Sequence, residues 1–208
     1  MELIIAIGII LACVLATLTL VISSIQAGRK SSDKIIATNL AREGVEIVRN
    51  IRDSNWINVA SNIINTDTGD IYKWDDGLVD LLINDPIAIP IINDTSISKL
   101  DFTPNSPSDK CSGEECTRIF MTGANYYIQI TNPSSIPSSI PTTFYRLLYL
   151  NPICQDASGN ETIIGKDVAS DCGADTKVGI RVISEVDWPK LGKNKVIIED
   201  RLYNWRTQ

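Results

Sequence analysis

Residues 3–22 form an uncharged, overwhelmingly apolar run, which constrains this chain more than any other feature. In a helix that rises ~1.5 Å per residue, the run spans ~30 Å, which is the thickness of a bilayer core. The only charged residue before it is Glu2, and the next charge is Arg29. The run therefore predicts a membrane-spanning helix that carries one carboxylate at its N-terminal end.

The sequence after this run predicts that the helix continues. No proline occurs before Pro86, and apolar residues recur at helical spacing from Asp33 onward. The predicted stripe consists of Ile36, Leu40, Gly44, Ile47, Val48 and Ile51. Glu46 is placed to pair with Arg42 and Arg49. We predict that the helix stops at Asp53–Asn55 and that Trp56 anchors it to the C-terminal part of the chain.

Length and charge limit the number of domains and the classes of function that the rest of the chain can have. With residues 1–53 in the helix, residues 54–208 are enough for one globular domain, the head. Residues 1–53 carry a net charge of +1 and the head carries −7, so nucleic-acid binding is not expected. The chain contains no histidine, the commonest general base and zinc ligand. We predict no enzyme activity, no catalytic or metal-ligating residue and no cofactor.

Four cysteines lie in polar surroundings, at Cys111, Cys116, Cys154 and Cys172, whereas Cys13 lies in the apolar run. An even set of cysteines in a non-cytosolic domain is typical of disulfides. We predict the local pairs Cys111–Cys116 and Cys154–Cys172, because each closes a short loop bounded by turn residues. Cys13 is predicted to stay free as a small hydrophobic residue. A zinc site built from the four thiolates is the alternative, although their spacing lacks the usual paired ligands.

The orientation signals conflict. Arg29 and Lys30 follow the apolar run and nothing basic precedes it, which favours a cytoplasmic head. Disulfides favour a head on the outside. We give the cysteines precedence and expect a longer precursor, whose basic segment has been removed.

Alternating side chains in the head predict an antiparallel sheet with one buried face. The pattern is clearest at Lys177–Asp187, and weaker patterns predict strands at Tyr126–Ile130, Phe144–Leu150 and Lys195–Trp205. Residues 57–110 contain prolines and aspartate-rich turns and are predicted to be irregular. The sequence therefore predicts an α+β fold, in which a long N-terminal helix, part membrane span and part amphipathic, packs on a head with an antiparallel sheet.

Three small residues, Gly8, Ala12 and Ala16, are spaced by four within the apolar run. Small residues at this spacing form a ridge that lets apolar helices approach closely. The alternative is a chance spacing in a run that is rich in small residues. We predict that the ridge takes part in helix–helix contacts.

The segment Met1-Glu-Leu-Ile-Ile-Ala-Ile-Gly-Ile-Ile-Leu11 resembles the N-terminal methylation helix of type IV pilins and pseudopilins. In that family a prepilin peptidase cleaves after a glycine, and a glutamate then precedes a long apolar helix. Glu2 falls at the position of that glutamate. The family pattern has three residues before the one that matches Met1, together with a basic leader, and we expect both in the precursor.

The resemblance implies a structural subunit of a type IV pilus-like extracellular filament. Such a subunit waits in the inner (cytoplasmic) membrane with its head outside, until the pilus assembly machinery extracts it and stacks it in a helical filament of identical subunits. The glutamate is implied to meet a neighbour's terminal amine and to set the axial register, so Glu2 is the predicted assembly residue beside Gly8, Ala12 and Ala16. No catalysis by the subunit is implied.

Two alternatives remain open from the sequence. A minor pilin or type II secretion pseudopilin, which primes or tips a filament, has the same N-terminal signature. A single-span surface receptor or adhesin would use the apolar run only as an anchor.

Overall fold

A computed structural model describes residues 2–66, 69–78, 87–93, 96–101, 110–111, 114–115, 117–124, 126–129, 139–165, 172–188 and 194–205. The chain divides into two compact units, Met1–Ile36 and Ala37–Gln208, and helix α1 (Glu2–Ala60) contributes to both. The predicted boundary, which divides the helix (1–53) from the head (54–208), differs from the division into compact units. It stays a prediction. The described strands are β1 (Ile87–Asn93), β2 (Ser96–Asp101), β3 (Lys110–Cys111), β4 (Glu114–Glu115), β5 (Arg118–Met121), β6 (Tyr127–Gln129), β7 (Ile140–Gln155), β8 (Glu161–Ile163), β9 (Thr176–Trp188) and β10 (Asn194–Tyr203).

The predicted helix stop at Asp53–Asn55 is wrong, because α1 continues to Ala60. The Asn55 amide does not compete for the helix backbone; it donates to the carbonyl oxygens of Trp74 (3.2 Å) and Asp76 (2.7 Å). The helix ends where Asn62 takes a φ of 49°. Ile63 N then donates to Asn58 O and Asn62 N to Val59 O, the paired bonds of a Schellman cap.

The main sheet is antiparallel and has the strand order β10-β9-β7-β1-β2. The 16-residue strand β7 also pairs with β5 and β8, and β6 pairs with β5. Strands β3 and β4 form a separate two-stranded ladder. The strand predicted at Lys177–Asp187 is confirmed as β9, and the one predicted at Lys195–Trp205 is confirmed as β10, which ends at Tyr203. The other two predicted strands correspond to β6 and to the middle of β7.

The prediction that residues 57–110 are irregular is wrong for β1 and β2. It relied on prolines as strand breakers, and Pro90 lies inside β1. Strand β1 pairs with β7 only through Ile87 and Ala88, so Pro90, which cannot donate a backbone hydrogen bond, lies beyond that ladder. Strand β1 then continues along β2, with an irregularity in the register between Ile91 and Ile92.

The core of the second unit lies between one stripe of α1 and one face of the sheet, so the predicted α+β fold is confirmed. Its buried residues are Val45, Ile47, Val48, Leu78, Ala88, Leu100, Leu148, Leu150, Ile180, Val182 and Leu202. On β9 the predicted inward residues Ile180, Val182 and Val186 are buried, and Val178 is half-buried. Each such aliphatic side chain contributes about 1.5–3 kcal/mol by leaving water, and this burial holds α1 on the sheet.

Candidate assembly surface

The apolar run of the first unit is uncovered in a single copy of the chain. All side chains from Glu2 to Ser32 are exposed, and large apolar groups such as Leu3 and Ile4 have more than 70% of their surface in contact with solvent. The helix is long and apolar enough to cross a membrane. Apolar surface on this scale is unfavourable in water, at roughly 25 cal/mol per Å², so the run requires lipid or other protein around it.

The hydroxyl groups in this run are satisfied by the helix itself. Thr17 Oγ1 donates to Val14 O at 2.9 Å and Thr19 Oγ1 to Ala16 O at 2.8 Å. A hydroxyl that bonds to its own helix does not need water, and it can enter an apolar environment without an unpaired donor. The Glu2 carboxylate differs from these hydroxyls. In an apolar environment it needs a charged or hydrogen-bonding partner.

The predicted ridge is fully exposed along the first unit. Gly8, Ala12 and Ala16 lie on one side of the helix, each about 40° from the last, and a Cβ added at Gly8 would meet no atom within 4 Å. The ridge is therefore available for a neighbouring helix. Cys13 is also exposed and its thiol is free, as predicted.

In the second unit, α1 lies close to the sheet at Gly44. A Cβ built on Gly44 would lie 2.6 Å from Ser184 Oγ on β9 and 2.9 Å from Leu148 Cδ2 on β7. Both distances are shorter than real Cβ contacts. Glycine at this position thus sets how near the helix can lie to the two central strands.

Beside Gly44, the guanidinium of Arg146 on β7 is buried and links the sheet to the helix. Its Nη1 donates to Leu40 O at 3.0 Å and to Glu43 Oε2 at 2.8 Å, and its Nε donates to Gln129 Oε1 at 3.0 Å. The Gln129 amide in turn donates to the carbonyl oxygens of Thr117 and Arg146. Burial lowers the pKa of Arg146 from its usual value, and the Glu43 carboxylate opposes that shift.

The C-terminal end of α1 is attached by a second set of contacts. Arg49 Nη2 donates to Asp200 Oδ2 on β10 at 2.6 Å and its Nη1 to Glu46 Oε1 at 2.5 Å, so the predicted Glu46–Arg49 pair is confirmed. Trp56 is buried, and its ring centroid lies 5.7 Å from that of Trp205. Trp56 therefore anchors the helix as predicted.

The disulfide Cys154–Cys172 is present, with Cα atoms 5.5 Å apart, which confirms one predicted pair. It joins the end of β7 to the segment before β9. These two thiols bond to each other, which leaves neither as a thiolate ligand for the zinc alternative. The other predicted pair, Cys111–Cys116, lies outside the described residues, since only the backbone of Cys111 is described.

The turn Asp156–Glu161 joins β7 to β8 and is held by one carboxylate. Asp156 Oδ1 accepts hydrogen bonds from Ser158 N and Asn160 N, both at 2.8 Å, and Oδ2 accepts one from Asn160 Nδ2 at 2.9 Å. The Asn160 bonds, and then those from Ser158 and Gly159, lower the pKa of Asp156. Within the described ranges, no group of three His, Cys, Asp or Glu residues is placed to hold a metal ion.

Sequence reasoning found the exposed run but missed Arg146 and Gly44 as the pair that fixes the helix on the sheet. Gly44 was recognised only as a member of the apolar stripe. The signal for Arg146 is a lone cation among apolar residues of a strand, Phe144-Tyr-Arg-Leu-Leu148, which predicts a buried charge that needs a partner.

No protein-family model, curated protein sequence or solved structure matches this chain.

Proposed function

We propose that this chain is a structural subunit of a type IV pilus-like extracellular filament, assembled from the membrane through its N-terminal helix. The observation that carries the proposal is Glu2, a lone carboxylate at the end of an uncharged helical run whose side chains are all exposed in one copy. The N-terminal resemblance to type IV pilins and pseudopilins supports the same assignment.

The surroundings of the apolar run change when a filament assembles. Before assembly, lipid covers residues 3–22, and in a filament neighbouring helices replace the lipid. Lipid tails are as apolar as leucine, so association gains little from dehydration and depends on close packing and polar pairing. Gly8, Ala12 and Ala16 supply the close packing, and Glu2 supplies a polar group whose pairing is worth most in a dry environment.

The second unit supplies the outer part of such a filament. Its net-acidic surface and its disulfide Cys154–Cys172 suit an oxidising, extracellular environment. The contacts of Gly44 and Arg146 hold the amphipathic part of α1 on the sheet within this unit. A structural role of this kind requires no catalytic group.

The first alternative is a minor pilin or a type II secretion pseudopilin, for which the same features suffice. The second is a single-span surface receptor or adhesin, in which the exposed run is only an anchor. A cleaved signal sequence is a further source of an N-terminal apolar helix. Mass spectrometry of the mature protein separates it from the others, because residues 3–22 are then missing.

The test is negative-stain microscopy of material sheared from the cell surface, with mass spectrometry of any fibres. We expect fibres in which this chain is the main protein, and we expect Glu2→Ala to abolish them while the protein remains in the membrane. Glu46→Ala is the matched control, because it removes an exposed carboxylate from the second unit. Unchanged fibre yield with Glu2→Ala contradicts the assembly role, and this chain as a trace component of the fibres favours the minor pilin.

A further inference from the structure

The turn between β7 and β8 carries a sequence signal that the filament function does not use. Asn160-Glu161-Thr162 has the form Asn-X-Ser/Thr with X other than proline, the acceptor sequence for N-linked glycans. The chain has a second sequence of this form, Asn93-Asp94-Thr95, of which Asp94 and Thr95 lie outside the described residues. We propose that Asn160 is an N-glycosylation site, and that its glycan is transferred from a polyisoprenyl pyrophosphate-linked oligosaccharide.

The surroundings of Asn160 leave room for a glycan. Asn160, Glu161 and Thr162 are all exposed, whereas Asn55, Asn65 and Asn151 are buried. Gly159, just before the acceptor, has a φ of 86°, and a Cβ added there would meet no atom within 4 Å. A bulky, hydrated substituent on Asn160 therefore projects into solvent without displacing the core.

The neighbouring residues fix where the acceptor lies. Tyr203 Oη donates to Glu161 Oε2 at 2.9 Å, which holds the middle residue of the sequence toward β10. Thr162, the next residue of β8, lies on the opposite face of that strand from Glu161, because side chains alternate along a strand.

The transfer step is a substitution at the anomeric carbon of the sugar. The Asn160 Nδ2–C1 bond forms, the C1–O bond to the pyrophosphate breaks, the lipid pyrophosphate leaves, and one amide proton passes to a base of the transferase. The product retains one N–H on Nδ2. That N–H can still donate to Asp156 Oδ2, so the glycan is compatible with the folded turn.

The same turn constrains when the transfer occurs. In the folded chain both the backbone and the side-chain N–H groups of Asn160 are bonded to Asp156, and Thr162 is the cross-strand partner of Cys154. The disulfide Cys154–Cys172 encloses the whole acceptor sequence. We therefore place the transfer before this hairpin closes, on the extracytoplasmic side where the disulfide also forms.

The experiment uses the full-length protein purified from its own cells, reduced and digested with trypsin. The acceptor lies in the peptide Leu147–Lys166, and fragmentation that preserves glycans assigns any added mass to one residue. We expect glycan mass on Asn160, its complete loss in Asn160→Gln and Thr162→Val, and its retention in Thr162→Ser.

Two results overturn the proposal: an unmodified Leu147–Lys166 peptide in the native protein, or added mass on the hydroxyl of Ser158 or Thr162. A non-reduced digest, in which Cys154 and Cys172 remain linked, shows that each variant has folded. The outcome is independent of whether the chain forms filaments, since it requires only that the head reaches the compartment of the transferase.

Discussion

A Cβ added to Gly44 would lie 2.6 Å from the hydroxyl oxygen of Ser184, so the helix and β9 are as close as a glycine allows. The contact joins two residues that are 140 positions apart in the sequence. The buried Ser184 hydroxyl at this contact has no hydrogen-bond partner among the described residues.

Gly44→Ala is expected to lower the free energy of unfolding of the head by about 1–3 kcal/mol, because the methyl group forces α1 away from the sheet. The gain in helix propensity, at most ~1 kcal/mol, offsets part of this loss. Gly28→Ala is the matched control, since a Cβ there meets no atom within 4 Å. Urea unfolding followed by tryptophan fluorescence measures both, and equal stability of the two variants would contradict the close contact.

Arg146→Met is expected to destabilise the head by ~3 kcal/mol or more. The substitution leaves Gln129 Oε1 buried without this donor, at about 1–3 kcal/mol, and also removes the charged bonds to Leu40 O and Glu43 Oε2. Arg49→Met is the control, because its ion pairs are partly exposed and are worth about 1 kcal/mol or less. Unfolding of Arg146→Met at the same urea concentration as the wild type would contradict the prediction and show that the cost of burying the guanidinium balances its bonds.

Loss of the disulfide Cys154–Cys172 is expected to destabilise the head by ~3 kcal/mol, as estimated from the chain entropy of a loop of this length. The double variant Cys154→Ser/Cys172→Ser should melt at lower temperature and keep its helix signal in circular dichroism. Cys13→Ser is the control, because that thiol is free. Non-reducing peptide mapping of the wild type and of Cys13→Ser tests the predicted pair Cys111–Cys116, and a Cys111–Cys154 link would refute the local pairing.

Ala12→Leu and Ala16→Leu are expected to reduce filament yield more than tenfold and to leave the unfolding of the head unchanged. The larger side chains stop neighbouring helices from approaching along the ridge, whereas in one copy the positions are exposed. Ala6→Leu is the control, since it lies ~120° around the helix from Ala12. A destabilised head with normal filaments would show that the ridge does not belong to the filament core.

Asp156 is expected to titrate below its ordinary pKa of 3.8, because Asn160 and the turn amides bond to its charged form. Since the folded pKa lies below the unfolded one, this contribution to stability is complete above the unfolded pKa and is lost as the pH falls through the folded value. Asn160→Ala removes the largest cause and should raise the pKa of Asp156 in a carboxyl NMR titration. Thr162→Ser should leave it unchanged, and a shift equal to that of Asn160→Ala would argue against the assigned cause.

The elements that were predicted correctly from the sequence are those whose apolar residues recur at a regular spacing and are buried on one face. Strand β9 alternates residue by residue, and its inward positions Ile180, Val182 and Val186 are buried as predicted. The amphipathic part of α1 follows the helical period in the same way, with Leu40 and Val48 buried. Such patterns lie within one segment of the sequence, so they predict a helix or strand without information on the element that packs against it.

The parts that could not be predicted depend on residues far apart in the sequence. Arg146 bonds to Leu40 O and Glu43 across more than 100 residues, and no local pattern contains both partners. Asn55 is a residue type that is common at helix ends. The helix continues through it because its amide donates to the distant acceptors Trp74 O and Asp76 O. The exposed run, with its small residues spaced by four, was predictable because it lies within one short segment of the sequence.

The attachment of α1 to the last strand also has a consequence for biosynthesis. Arg49 is 151 residues ahead of its partner Asp200, and a ribosome that adds ~5–20 residues per second needs roughly 8–30 s to reach that partner. Throughout this interval the apolar stripe of α1, which includes Leu40, Ile47 and Val48, has been synthesised and has no completed sheet to cover it. The nascent chain is therefore most prone to aggregate while the ribosome translates the head, and slower translation lengthens that vulnerable period.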